Sequence, residues 1–460
     1  MKQEPQILEQ LLERIIRLEG EVTYLRAENQ YLRSEVTRLE RQLEKYETPK
    51  NSRNSNKPPS SDFPKQQKTR SLRQPTGKKP GGQTGHEGTT LKQMSNPDKI
   101  EPHMPLYCNC CGEDLSGQPS LFSGKRQVID IPPIKAIVTE HQLFDRRCKC
   151  GHLNRASYPA GVNAPVSYGE NVQALLSYLG ARQYVPFQRL SELMRDVFGL
   201  GISTGGINYI MAKMEKKAAG TYEAIRQVVI HSHVVGADET GANINGKNHW
   251  AWTFQNKRAT YIAMHPSRGH KAIESIIPEG LPKSVLVTDC WPTYFNVETQ
   301  THQLCTAHLL RELVFLKEKY PLDQWTQRLS QLITDSLILR KENNISKDKA
   351  DKILESFDGL LTNPPNSDSK DLVVFHKRMV KYAGYLFNFL TNKEIPPDNN
   401  GSERAIRNFK IKLKVSGFFK SLNGANAFAS LRSIIDTAIK NEQNPYQILC
   451  LVANCNPATE

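Results

Sequence analysis

The sequence predicts a multidomain α+β protein, and three observations predict it. Apolar residues at alternating three- and four-residue spacing open the chain, two cysteine–glycine turns follow, and the second half reads strand, strand, strand, helix, strand. At 460 residues the chain has room for several domains, each able to bury a core. No apolar run is long enough to span a bilayer, so no membrane partner is expected. The charged N-terminus lacks the pattern of a secretory leader, which predicts a cytoplasmic, nucleoid-associated protein. Lys plus Arg number 61 against 47 Asp plus Glu, a formal net charge of +14 that points to a nucleic acid partner. Of the nine cysteines, Cys108, Cys110, Cys111, Cys148 and Cys150 are clustered. In a reducing compartment that clustering favours metal binding over disulfides.

Residues 1–47 are expected to dimerise the protein. Leu8, Leu11, Ile15, Leu18, Val22, Leu25, Asn29, Leu32, Val36, Leu39 and Leu43 form a heptad seam. Branched Ile15, Val22 and Val36 alternate with leucines, a choice that favours a parallel two-stranded coiled coil and hence a homodimer. Asn29, polar within the seam, would pair with its copy and fix register. The competing reading is an amphipathic helix packed on its own chain. Only Lys2 precedes the heptads, so the segment lacks the basic region with which a zipper grips DNA.

Residues 48–100 carry 11 Lys or Arg against 3 acids and are rich in Pro, Gly, Ser, Asn and Gln. This predicts a basic linker, disordered when free, that serves as a tether or as a phosphate-contacting arm. Residues 101–160 are expected to form a zinc ribbon. Cys108 and Cys111, then Cys148 and Cys150, supply four thiolates, with Gly112 and Gly151 suited to the tight turns. Cys110 is spare and His152 is an alternative ligand; plain reduced cysteines are the bland reading. The intervening stretches Gln127 to Ile131 and Ala136 to Thr139 read as strands.

Residues 161–230 read as a helical DNA-binding region. Val172 to Leu179, Leu190 to Phe198 and Ile207 to Met214 have helical periodicity, and glycines between the last two suggest a helix-turn-helix or a simple helical connector. Residues 231–425 are the expected catalytic core. Val234 to Glu239 is an apolar strand ending in two acids, Asn245-Gly246 a hairpin turn, and His249 to Phe254 and Thr260 to Met264 two further strands. A helix from His270 to Ile277 and a buried strand from Ser284 to Asp289 follow. That order is the one of a ribonuclease-H-like α/β fold, with Asp238 and Asp289 on neighbouring strands. Glu403, opening a later helix, offers a third carboxylate. Three carboxylates suit two magnesium ions, with manganese as a substitute, for in-line phosphodiester chemistry. Arg404, Arg407, Lys410, Lys412 and Lys414 would hold the DNA backbone beside them. Taken singly, each acid has a bland alternative: a strand-end Asp is often a loop cap, and Glu403 stands at capping-box spacing from Asn400. Residues 302–390 read as a helical insertion, and 426–460 as a C-terminal helical tail.

Several strings resemble the sixty-six family of bacterial insertion-sequence transposases, within the Asp-Asp-Glu superfamily. They are Ser52 to Asp62, Lys79 to Gly88, Asp238-Glu-Thr-Gly241, Asn245 to Trp250, Thr288 to Tyr294, Cys305-Thr-Ala-His308-Leu-Leu-Arg311, Asp398 to Arg404, Lys414 to Phe419, Gly424 to Ala429 and Asn444-Pro445-Tyr446. The resemblance runs along nearly the whole chain in family order, although Thr306 stands where many relatives carry Trp. It implies cleavage and strand transfer at the terminal inverted repeats of a mobile element, with Asp238, Asp289 and Glu403 as the triad. Cys305 and His308 are then either one face of a core helix or catalytic support near the scissile phosphate. The implied partners are double-stranded DNA at the element ends and the target, a second copy of the chain, and element-encoded accessory proteins. Two rival functions are a catalytically silent DNA-binding regulator, which would tolerate loss of Asp238, and a nuclease, which would have no use for the paired N-terminal modules.

Overall fold

The computed structural model describes residues 4–47, 50–51, 54–55, 85, 92–159, 161–162, 164–343, 345–365 and 369–455. Helix α1 (Glu4–Glu47) is continuous. Its described seam side chains do not pack on the rest of the chain: Ile15, Val22, Leu25 and Val36 are 45–54% exposed. The side chains of Leu8, Leu11 and Leu43 lie outside the described residues, as do most of the linker and nearly all of its two motif strings.

The cysteine-rich region differs from expectation. Strands β1 (Arg146–Arg147) and β2 (Leu153–Asn154) pair antiparallel around the second knuckle. Stretches 127–131 and 136–139, expected as strands, join no sheet. Their alternating apolar residues favour extended chain, but Val128 and Ile137 are more than 90% exposed and no second strand lies beside them among the described residues.

Next come α2 (Glu170–Ser177), a π-helical turn at Tyr178–Arg182, α3 (Phe187–Phe198) and α4 (Thr204–Ile230). Gly199, in the left-handed region at φ 66°, ends α3, and the Ser203 hydroxyl accepts the Gly206 N–H to start α4. The glycine-rich break is therefore a cap pair between two helices.

Strands β3 (Val234–Ile244), β4 (Lys247–Gln255) and β5 (Thr260–His265) form an antiparallel meander. The Asn245-Gly246 turn is as read: both residues have positive φ, 47° and 80°, which a tight two-residue hairpin requires. However, β3 does not stop at its two acids but continues to Ile244. After α5 (His270–Ile276), strand β6 (Leu281–Thr288) lies parallel to β3. A further strand absent from the sequence reading, β7 (Thr299–Leu304), pairs parallel with β6. The sheet order is β5-β4-β3-β6-β7.

The helical insertion consequently starts later than residue 302. It comprises α6 (Thr306–Lys319), α7 (Gln324–Lys341), α8 (Lys347–Thr362), α9 (Lys370–Lys381) and the single turn α10 (Asn388–Thr391). These helices build their own core around Leu313, Leu329, Phe357 and Phe375, joined to the sheet through Val285 and Leu304. Helices α11 (Asn400–Ser416), α12 (Leu422–Lys440) and α13 (Pro445–Asn454) close the chain.

A second core is continuous from α2 through α4 to the sheet and on to α11, α12 and α13. The expected boundary near residue 230 therefore does not separate two cores. Nor is the C-terminal segment a tail: α12 starts before residue 426 and is buried along most of its length, Leu431 and Ile435 fully so.

Candidate active site and zinc region

The parallel pairing of β3 with β6 sets Val234 opposite Val285, Val235 opposite Leu286 and Gly236 opposite Val287. Carried two residues further, the same register puts Asp238 beside Asp289, on adjacent strands and on one face of the sheet. Both side chains are half-buried. The Asp238 carboxylate accepts the Glu239 N–H at 3.0 Å, and that of Asp289 accepts the Trp291 N–H at 2.9 Å.

Glu403 reaches this place because the start of α11 is clamped to β3. Asn399 donates through Nδ2 to the Ala237 carbonyl (2.6 Å), the Ser402 hydroxyl donates to Asn399 Oδ1 (2.6 Å), and Gln255 Nε2 donates to the Ser402 oxygen (3.3 Å). Gly236 makes the approach possible, since a Cβ there would stand 2.6 Å from the Ser402 hydroxyl and 2.9 Å from Asn399 Oδ1. Glu403 lies in the first turn of α11, but the N-cap is Asn399, so the capping-box reading from Asn400 does not hold.

Gathering acids has an electrostatic cost. Burial, then the charge of Glu239, with Asp289 and Glu403 adding to it, lifts the Asp238 carboxyl to about 7 against the pull of Lys410. Burial likewise lifts Asp289 to about 6, with Glu239 and Glu403 contributing and Arg268 opposing. Such crowding of hard oxygen donors fits a divalent cation of the magnesium class. Among the described residues these three carboxylates do not form a group whose oxygens all lie within 4.8 Å of one another.

Glu239, read only as the second of two acids, proves to be a buttress. Its buried carboxylate accepts Arg268 at 2.7 and 2.9 Å and the Tyr294 hydroxyl. Arg268 in turn lies over the rings of Trp291 (4.0 Å) and Trp250 (4.9 Å). Successive strand residues face opposite ways, so Asp238 and Glu239 serve opposite faces of β3, a signal the two-residue periodicity already carried.

Cys305 caps α6 and His308 follows one turn later. Cys305 is buried, and burial lifts its thiol to about 11. Burial, then Arg311 and Lys410, lowers His308 to about 4. His308 Nδ1 is 3.6 Å from Glu403 Oε1, and Arg311 donates to the same oxygen at 3.3 Å. The Thr306 N–H and hydroxyl both donate to the Pro397 carbonyl, at 3.0 and 2.8 Å, tying α6 to the approach of α11.

The five basic residues of α11 separate. Arg407, Lys410 and Lys414 are exposed at positions four, seven and eleven after Glu403, one helical stripe. Arg404, also exposed, lies off that stripe and lines a cavity of about 740 Å³ with Gln255, Asp436 and Lys440. Lys412 corrects the sequence reading: it is buried over the rings of Phe187 and Phe428, which lowers its ammonium to about 8, and it is not presented to DNA.

In the cysteine-rich region the two knuckles fold alike. Gly112 N–H returns to the Cys108 carbonyl and Gly151 N–H to that of Cys148, both at 2.9 Å, with φ of 77° and 88° at the glycines. Hydrogen bonds from the Cys111 and Cys110 amides hold the Cys108 thiol below its ordinary value, and the Cys150 amide does the same for Cys148. These turns fit metal-binding knuckles, although no three of the thiols lie mutually within 4.8 Å.

Residues 165–427 match the model of the transposase IS66 family, more than half of the chain. The chain belongs to the IS66 family of transposases. Residues 105–151 match the zinc-finger binding domain of IS66 transposases, which supports zinc binding by the knuckle region of this family member. Residues 6–92 match a family of unknown function. No curated protein matches this transposase significantly. No helix among the described residues is long and apolar enough to cross a membrane.

Proposed function

We propose that the chain is an Asp-Asp-Glu transposase that binds the terminal inverted repeats of its element and catalyses strand cleavage and strand transfer, with Asp238, Asp289 and Glu403 as the triad. The observation that carries this reading is the convergence of three acids from β3, the end of β6 and the first turn of α11, with the carboxyls of Asp238 and Asp289 raised by burial and by their acidic neighbours. The sheet order, with β3 central and flanked by antiparallel β4 and parallel β6, supports a ribonuclease-H-like core. Divalent ions at such a site supply activation of the attacking oxygen and neutralise the phosphate in flight. Asp238, Asp289 and Glu403 are the residues that would hold them. Arg404, Arg407, Lys410 and Lys414 would track the adjoining backbone phosphates. Cys108, Cys111, Cys148 and Cys150 are the proposed zinc ligands, with the ribbon and the helices before the core as DNA-contacting modules. Helix α1 would pair with its copy as a parallel coiled coil.

The test is cleavage of DNA carrying the gene's flanking ends in magnesium, comparing the natural protein with Asp238→Ala and Asp289→Asn. Nicks at defined ends are expected from the natural protein and from neither variant, with end binding kept. Equal cutting by Asp289→Asn would sink the triad. Binding without cutting by every form would favour the silent regulator.

A further inference from the structure

We propose that Cys305, His308 and Glu403 form a second metal site, distinct in kind from both the magnesium carboxylates and the zinc knuckles, for a single thiophilic divalent cation of the zinc class. It is the only group of three or more His, Cys, Asp or Glu side chains among the described residues whose ligand atoms all lie within 4.8 Å of one another.

The site follows from how two helices meet. Cys305 and His308, three apart at the start of α6, share one face. The α11 approach is tied to that face by Thr306 on the Pro397 carbonyl and by the Asn399 N–H, which donates to Cys305 Sγ at 3.2 Å. Glu403, four residues beyond Asn399, is thereby delivered to the pair.

The geometry suits a shared ion better than direct contact. His308 Nδ1 is buried and has no hydrogen-bond partner among the described residues, and 3.6 Å to Glu403 Oε1 is too long for such a bond. Two ligands at zinc distances of about 2.0–2.2 Å and a tetrahedral angle stand roughly 3.4 Å apart. One sulfur, one imidazole nitrogen and one carboxylate oxygen select zinc, cobalt or iron over magnesium, and three protein ligands leave a fourth position open. Opposing this, Arg311 holds the same Glu403 oxygen, and Lys410 stands close enough to act on His308. A bound cation must displace the Arg311 contact, so Arg311 sets the affinity. Glu403 is shared with the triad proposed above, and only the consequence of occupancy, withdrawal of Glu403 from magnesium, rests on that reading.

The experiment is cobalt(II) titration of the full-length protein with its knuckles already filled with zinc, read by absorbance and by bound-metal stoichiometry. We expect one further equivalent with a thiolate-to-cobalt charge-transfer band and the visible bands of a tetrahedral ion. Cys305→Ser should remove the charge-transfer band, and His308→Asn should weaken binding by about 100-fold or more. Arg311→Ala should tighten it, a result that misfolding would not produce. A Cys108→Ser, Cys111→Ser double variant should keep the band. An unchanged spectrum and stoichiometry in Cys305→Ser, or a band lost with the knuckle variant alone, would overturn the site. None of these readings requires DNA cleavage, so failure of the transposase reading would show separately.

Discussion

With Asp238 lifted to about 7 and Asp289 to about 6, Asp238 keeps its proton up to about neutral pH and Asp289 only up to about pH 6 in the metal-free protein. The sign of the effect on stability follows. A carboxyl whose folded value is raised contributes stability that is complete below its unfolded value, near 4, and is lost as pH rises through 6 to 7. His302 and His308, both lowered to about 4 by burial, act the other way, because folding keeps them neutral and their contribution is lost as pH falls from about 6.5 toward 4. The clean quantity is therefore a difference. The advantage of Asp238→Asn, neutral throughout, over the natural protein should grow by roughly 2–3 kcal/mol between pH 5 and pH 8 in chelator, measured by urea unfolding. An advantage equal at both pH values would show that Asp238 is not perturbed. At this scale the sequence marked the acids but not the buttress. Arg268 and Tyr294 lie far from Glu239 in sequence, and only the fold unites them. Lys412 was legible: it stands three residues after Phe409 and seven after Ala405, on the buried face of α11.

Among the elements, α11 has the most exacting placement, because one end carries Glu403 and its seat is a glycine. Gly236→Ala would force a methyl against Ser402, Asn399 and Gln255, all at 2.9 Å or less from the added Cβ. Overpacking of this kind costs about 1–3 kcal/mol, and relief requires either that Ser402, Asn399 and Gln255 give up their mutual hydrogen bonds or that α11 shift away from β3. The variant should unfold earlier in urea by that amount and lose cleavage more than end binding. Unchanged stability with unchanged cleavage would mean that α11 is not seated on Gly236. This seat could not be read from the sequence, since a lone glycine in a strand does not say what approaches it. The hairpin could, because Asn-Gly encodes its own backbone geometry. Strand β7 escaped for a different reason. Thr-Gln-Thr-His-Gln-Leu carries little apolar signal, and it takes polar partners from the insertion: Gln303 donates to the Leu386 carbonyl, and Asn388 donates to that of His302, both at 2.7 Å. Polar strands of this sort become readable only once their distant partners are known.

At the scale of the whole molecule, two cores account for residues from α2 onward, and α1 is excluded from both. Its described seam side chains form an apolar stripe left uncovered among the described residues, which weighs against the packed-helix alternative and for a second copy. Pairing would also bring two catalytic cores together, as an element with two ends requires. The natural protein should therefore run as a dimer by light scattering at micromolar concentration. Leu25→Glu with Leu32→Glu should give a monomer whose far-ultraviolet helix signal falls only by the share of α1, because neither core touches the seam. Asn29→Leu separates register from affinity: it should tighten association while admitting trimers or higher species, since the buried asparagine pair is what restricts strand number. A double variant that remains dimeric would place the interface elsewhere, and the exposed extended stretch around Val128 and Ile137 is one apolar surface among the described residues that could supply it.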